Sequence, residues 1–194
     1  MATRRLLLLG DFVRLAYQPE VERLLRADSS ADVEVVGPAA SCGSSVNLME
    51  HIDVWVRKFQ PDLVHFNAGL DDVVWLPEEG RNATQVGQYE LNLKWVVDFL
   101  RSRFGSDFVF ATTTPVHDAV AQESPNQRCN RDIEEYNIAA CEIMLQADVL
   151  INPLDRVIWQ QDDTFIAEDG VSLTPAGTEA AAKSVVQHVL SLWH

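Results

Sequence analysis

Asp11, Asp71, Asp169 and His117, with Asp72 beside the second of them, are the groups in this chain best suited to moving protons. Each follows or adjoins a segment boundary, the kind of place where a strand of an α/β fold gives way to a loop. Carboxylates gathered in one cleft cannot all ionise cheaply, so one is expected to keep its proton while another stays a base. That arrangement serves proton-transfer chemistry on a small organic molecule: cyclisation, dehydration or isomerisation. His117 is a second candidate base, because imidazole titrates nearest neutrality. Plainer readings stand beside these. Asp11 and Asp72 suit tight turns, where aspartate accepts from backbone N–H groups, and His117 suits a surface loop. Cys42 is a candidate nucleophile if a cation or the helix start near Ser45 lowers its pKa, and otherwise a small buried hydrophobe.

The elements that must position these groups alternate along the chain. Short apolar runs over 4–9, 33–36, 62–67, 107–113 and 148–151 read as buried parallel strands. Helical spacing covers about 17–27, 45–59, 84–104, 126–147 and 175–193, the last opening on Thr174-Pro175, a cap followed by proline at the first helical position. Five strands each followed by a helix imply one α/β domain over residues 1–194, a three-layer α/β/α sandwich on a mostly parallel five-stranded, flavodoxin-like sheet. Ligands of such sheets sit beyond the carboxyl ends of the strands. That rule gathers Asp11-Phe12, the Ala40–Ser45 loop, Asn67–Asp72, Thr113–Asp118 and Asp169–Ser172 in one crevice. Arg14, Tyr17, Asn67, Arg128 and Asn130 are polar groups suited to orienting a substrate there. Arg128 also reads as a solvated residue opening the 126–147 helix. His65 falls inside a strand and reads as core. Trp75, Trp95 and Trp159 read as core or loop packing, with Trp75 a candidate pocket wall.

The order of these loops resembles the SGNH (GDSL-type) hydrolases over nearly the whole chain. Gly10-Asp11-Phe12 stands where that family carries Gly-Asp-Ser. Gly43, in Ser41-Cys42-Gly43-Ser44-Ser45, fits its oxyanion glycine, with Asn47 placed to cap the next helix. Gly69-Leu70-Asp71-Asp72 fits its Gly-x-Asn-Asp block, and Asp169-Gly170-Val171-Ser172 fits its Asp-x-x-His, followed by Leu173-Thr174-Pro175-Ala176-Gly177. The resemblance implies the hydrolase fold. It also implies that nucleophile and base are replaced, by Phe12 and Ser172, and that an oxyanion amide has become the carboxylate of Asp71. Serine hydrolysis needs all three groups, so the resemblance implies a scaffold put to another use. Phe12 then becomes an apolar wall, and Cys42, Gly43 and Ser172 line the binding site.

Composition narrows the partners. The chain has 194 residues, 47% of them hydrophobic, and a formal net charge of −14. That balance opposes nucleic acid and anionic membranes, which select basic surfaces. The N-terminal apolar run, Leu6–Leu9, is too short for a signal peptide, and the cytoplasm is the expected compartment. Three cysteines make neither a disulfide scaffold nor a zinc pattern. No cofactor and no metal are expected, and the sequence leaves the oligomeric state open. The leading expectation is a repurposed acid/base enzyme acting on a small molecule, with specialised-metabolite biosynthesis as its setting. The alternatives are a catalytically silent ligand- or partner-binding relative and a residual esterase that uses carboxylate-activated water or Cys42.

Overall fold

A computed structural model describes residues 3–28, 32–105, 107–160 and 162–193. The elements run β1 (Arg4–Leu9), α1 (Phe12–Ala27), β2 (Val33–Val36), α2 (Ser45–Phe59), β3 (Leu63–Phe66), β4 (Trp75–Leu76), β5 (Arg81–Asn82), α3 (Val86–Phe104) and β6 (Phe108–Ala111). They continue with α4 (Asp118–Ala121), α5 (Asn130–Gln146), β7 (Leu150–Asn152), α6 (Leu154–Trp159), α7 (Asp162–Phe165) and α8 (Pro175–Trp193). Five strands form one sheet in the order β2-β1-β3-β6-β7, every pair parallel. Leu6 sits between Val35 and Leu63, and Val109 pairs with Leu150.

The order explains the layers. The chain moves from β1 outward to β2, then back across to β3, β6 and β7. Right-handed crossovers in opposite directions put the connecting helices on opposite faces. Accordingly α1 packs on α8, while α3 packs between α2 and α5. A central strand covered on both faces must be apolar throughout. Leu6–Leu9 and Phe108–Ala111 are fully buried, and so is every residue of β3, including His65. That histidine is a core residue whose ring is bonded on one side: Asn152 Nδ2 lies 3.1 Å from its Nε2, its Nδ1 has no hydrogen-bond partner among the described residues, and burial, with His188 nearby, pushes its pKa down to about 3.

The expected strands all form: β1 and β2 over the expected residues, β3 and β6 trimmed at their ends, and β7 shifted to Leu150–Asn152. The main departure is α1, which begins at Phe12 and runs through Pro19. Asp11 caps it, and Pro19 lies on its exposed face. The β4–β5 hairpin and the short helices α4, α6 and α7 were not expected. Asn47 does not cap α2: its amide donates to Cys42 O at 2.7 Å, and the Ser45 N–H is taken by Asp72. Thr174 does cap α8, accepting from Gly177 N at 3.2 Å. Trp75, Trp95 and Trp159 are exposed and not core, Trp95 stacking on Phe99.

Candidate functional site

The crevice beyond β1 and β3 is built on Asp11. One carboxylate oxygen accepts from Val13 N at 2.8 Å, closing the first turn of α1, and the other accepts from Asn67 Nδ2 at 3.1 Å. Asn67 reaches it because residue 10 is glycine: a Cβ there would lie 2.0 Å from Asn67 Oδ1. Burial pushes the Asp11 pKa up; the Asn67 hydrogen bond opposes this, and the neighbouring charge of Asp71 adds to it. Phe12, the first residue of α1, is half-buried against the core.

Arg14 and Tyr17 lie on the inner face of α1 and are sealed beneath the crevice. Arg14 donates to Pro38 O, Ala40 O and Gln18 Oε1 at 2.9, 2.7 and 2.8 Å, so it ties the loop after β2 to α1. Cys42 is buried as well, with its pKa raised by desolvation in spite of Arg14 Nη2 at 3.9 Å. Gly43 N–H donates to Ser41 Oγ at 3.0 Å, so this backbone donor is engaged within its own loop.

Asp71 and Asp72 have different tasks. Asp72 is buried and accepts from Ser45 N through both oxygens, at 3.0 and 2.9 Å, and from Ser45 Oγ at 2.6 Å. It fixes the start of α2, as an aspartate in a structural loop does. Its pKa is pushed up by burial against the pull of those hydrogen bonds. Asp71 is partly exposed and pairs with Arg128 at 2.9 Å. Its other oxygen faces Gly43, 4.0 Å from where a Cβ would stand.

Arg128 is the residue that sequence reasoning placed least well. It lies ahead of α5, is buried, and donates to Leu70 O at 2.7 Å and Asn126 O at 3.1 Å besides Asp71. With Trp75 N donating to Gln127 O at 2.9 Å, it clamps the 122–128 segment over the loop after β3. Asn130 bonds the Val116 backbone through both ends of its amide, at 2.9 and 2.7 Å.

The Asp169–Ser172 turn closes on itself. Asp169 accepts from Val171 N at 3.0 Å, Ser172 N at 2.8 Å and Ser172 Oγ at 2.6 Å. Desolvation is the largest single influence and raises its pKa, but these hydrogen bonds together outweigh it and the net shift is downward. His117 N donates to Gly170 O at 2.8 Å, joining the loop after β6 to this turn. Gly170 has φ +76°, and a Cβ there would lie 2.8 Å from Val120 Cβ, so the junction requires glycine. The structure thus brings Asp71 within electrostatic reach of both Asp11 and Asp72, and joins His117 to the Asp169 turn through the backbone. The groups acting on Asp169 all belong to its own turn.

No family model matches the chain, and no curated protein matches it. Solved structures do. An acetyl xylan esterase, AlAXEase, superposes with a TM-score of 0.79 at 16% identity, covering 95% of this chain and 99% of its own. The lipase/acylhydrolase from Enterococcus faecalis gives 0.78 at 18%, covering 97% and 96%. Axe2, an acetylxylan esterase from Geobacillus stearothermophilus, gives 0.79 at 18%, covering 97% and 94%. The chain therefore has the α/β fold of these esterase and lipase structures along almost its full length.

Proposed function

We propose that this chain is a non-hydrolytic ligand-binding protein on a hydrolase fold. The carrying observation is that the groups a serine esterase would need are engaged within the protein. Ser172, at the position of the base, donates its hydroxyl to Asp169. The Gly43 N–H donates to Ser41. Asp71 is held by Arg128, and Phe12 offers no nucleophile. A carboxylate facing Gly43 repels a developing oxyanion, where an esterase needs a donor. The same carboxylate accepts from hydroxyl or amine groups, so the ligand is a small organic molecule bearing such donors. Burial of Cys42 and its raised pKa speak against a thiol route.

The test is turnover of an activated acetate ester. The native chain is expected to show none above buffer. Turnover that disappears in Asp169→Asn or in Cys42→Ala would overturn the reading. Phe12→Ser combined with Ser172→His and Asp71→Asn rebuilds the serine machinery, and gain of turnover would support the assignment of these positions.

One observation favours a second reading, an acid/base enzyme. Asp11 is buried, desolvation raises its pKa, and Asp71 stands near enough to add to that shift. A buried carboxyl with a raised pKa near a second carboxyl is a pairing that such chemistry uses. The two readings separate on whether a retained compound leaves the protein chemically changed.

A further inference from the structure

Beside the edge strand β7, a groove of about 990 Å³ runs between α5 and α6, with Pro115 and Asn130 also in its lining. Its apolar lining includes Ile133, Ile138, Cys141 and Leu145 of α5, and Trp159 of α6. Ile138, Cys141 and Leu145 are spaced i, i+3, i+7 and form one stripe about 10 Å long at 1.5 Å per residue. Ile138, Leu145 and Trp159 are 55%, 71% and 56% exposed, an unusual concentration of bare apolar surface. The polar groups of the floor are bonded to one another: Thr112 to Asp155 at 2.6 Å, and Asn137 to the Thr113 backbone at 2.8 and 2.9 Å.

The charge beside the stripe is one-sided. The other long helices each carry a spaced ion pair: Glu20–Arg23 and Glu22–Arg26 on α1, Asp53–Arg57 on α2, Glu90–Lys94 on α3 and Glu179–Lys183 on α8. Helix α5 has four acids, Asp132, Glu134, Glu135 and Glu142, and the single base Arg131, which pairs with Asp132. Among the described residues, Glu134, Glu135 and Glu142 make no ion pair, and all three are exposed. Arg156, on the α6 side, is the one cation of the described lining.

We propose that this groove docks an amphipathic helix of a partner protein, apolar on the face that meets Ile138, Leu145 and Trp159 and rich in Lys or Arg on the flank beside α5. Helix-in-groove recognition uses an apolar stripe of this spacing. A small molecule fits less well, because such sites bury most of their ligand and these walls are more than half bare. A second copy of the chain fits less well too. A two-fold contact through this face would set the acids of α5 against their own copies.

The probe is a fluorescein-labelled Leu/Lys peptide of about 14 residues with leucines at i, i+3, i+4 and i+7. Its controls are a scrambled peptide of the same composition and a peptide with Glu in place of Lys. The proposal expects saturable binding to the native chain, weakened about tenfold or more by Ile138→Asp with Leu145→Asp. It expects no such loss from Val54→Asp with Leu91→Asp, which adds the same charge at residues 58% and 60% exposed on other helices. Equal binding of the scrambled peptide, equal loss in both double variants, or no saturable binding would overturn it. So would a dimer in light scattering that Ile138→Asp dissociates, which would identify a second copy as the occupant. All four residues are exposed, so both double variants are expected to keep the native near-UV circular dichroism.

Discussion

Replacing Arg128 by methionine tests whether that residue is the clamp described above. The side chain is 7% exposed and makes three hydrogen bonds. Methionine keeps the apolar stem and removes all of them. Loss of the charge-assisted bond to Asp71 costs about 1.5–3 kcal/mol, nearer the low end because water can reach that carboxylate. The Leu70 carbonyl is left buried without its donor, a cost of about 1–3 kcal/mol. Asn126 is exposed, so water replaces the third bond at little cost. Together these give about 3–5 kcal/mol, the range for breaking a buried pair from one side. Asp71→Asn keeps an acceptor facing Arg128 and is expected to cost about 1 kcal/mol. Urea unfolding of the three proteins, compared at equal m, reads the difference directly. A loss below about 1 kcal/mol for Arg128→Met would refute the clamp.

Further outcomes follow from individual contacts. The Asp11 pKa is raised in the folded state, so the stability of its protonated form is present below the ordinary carboxylate pKa and lost as pH rises through the folded value. Asp11→Asn stays neutral and can still cap α1, so it is expected to be more stable than the native chain at pH 7, the gap closing below about pH 4; a less stable variant at pH 7 would contradict this. His65 is held neutral down to about pH 3. Its unfolded form takes a proton below about pH 6.5, so stability should fall across that window, and a proton NMR titration should show His65 uncharged at pH 5. Ser172→Ala removes the hydroxyl that donates to Asp169, and NMR should find the Asp169 pKa higher than in the native chain. Cys42 should be the last of the three thiols to react with a disulfide reagent under native conditions, because it is fully buried.

The fold was legible because parallel strands covered on both faces must be apolar along their length, and Leu6–Leu9 and Phe108–Ala111 are. Thr174-Pro175 marked the last helix for the same kind of local reason. The start of α1 was not legible. Apolar spacing placed its start near residue 17, whereas it begins at Phe12, capped by Asp11, and local sequence leaves that aspartate ambiguous between turn and site. Arg128 escaped because its partners Leu70 and Asp71 stand more than fifty residues away, and no periodicity joins them. The commitment of Gly43 to Ser41 and of Ser172 to Asp169 is likewise a matter of side-chain direction, which residue type does not specify. Trp159 read as core or loop packing because a large aromatic usually finds cover, whereas here it is exposed and borders an open groove.

The central claim, that the crevice binds a small molecule without converting it, is tested most directly by mass spectrometry. The native protein is incubated with a small-molecule extract of the producing cells, and the free and protein-bound fractions are compared over time. The account predicts a compound retained unchanged by the native chain and released by Asp71→Asn or Arg128→Met variants that remain folded. A compound consumed while another appears, with the conversion abolished by Asp11→Asn or Asp71→Asn, would contradict it and establish an acid/base enzyme instead.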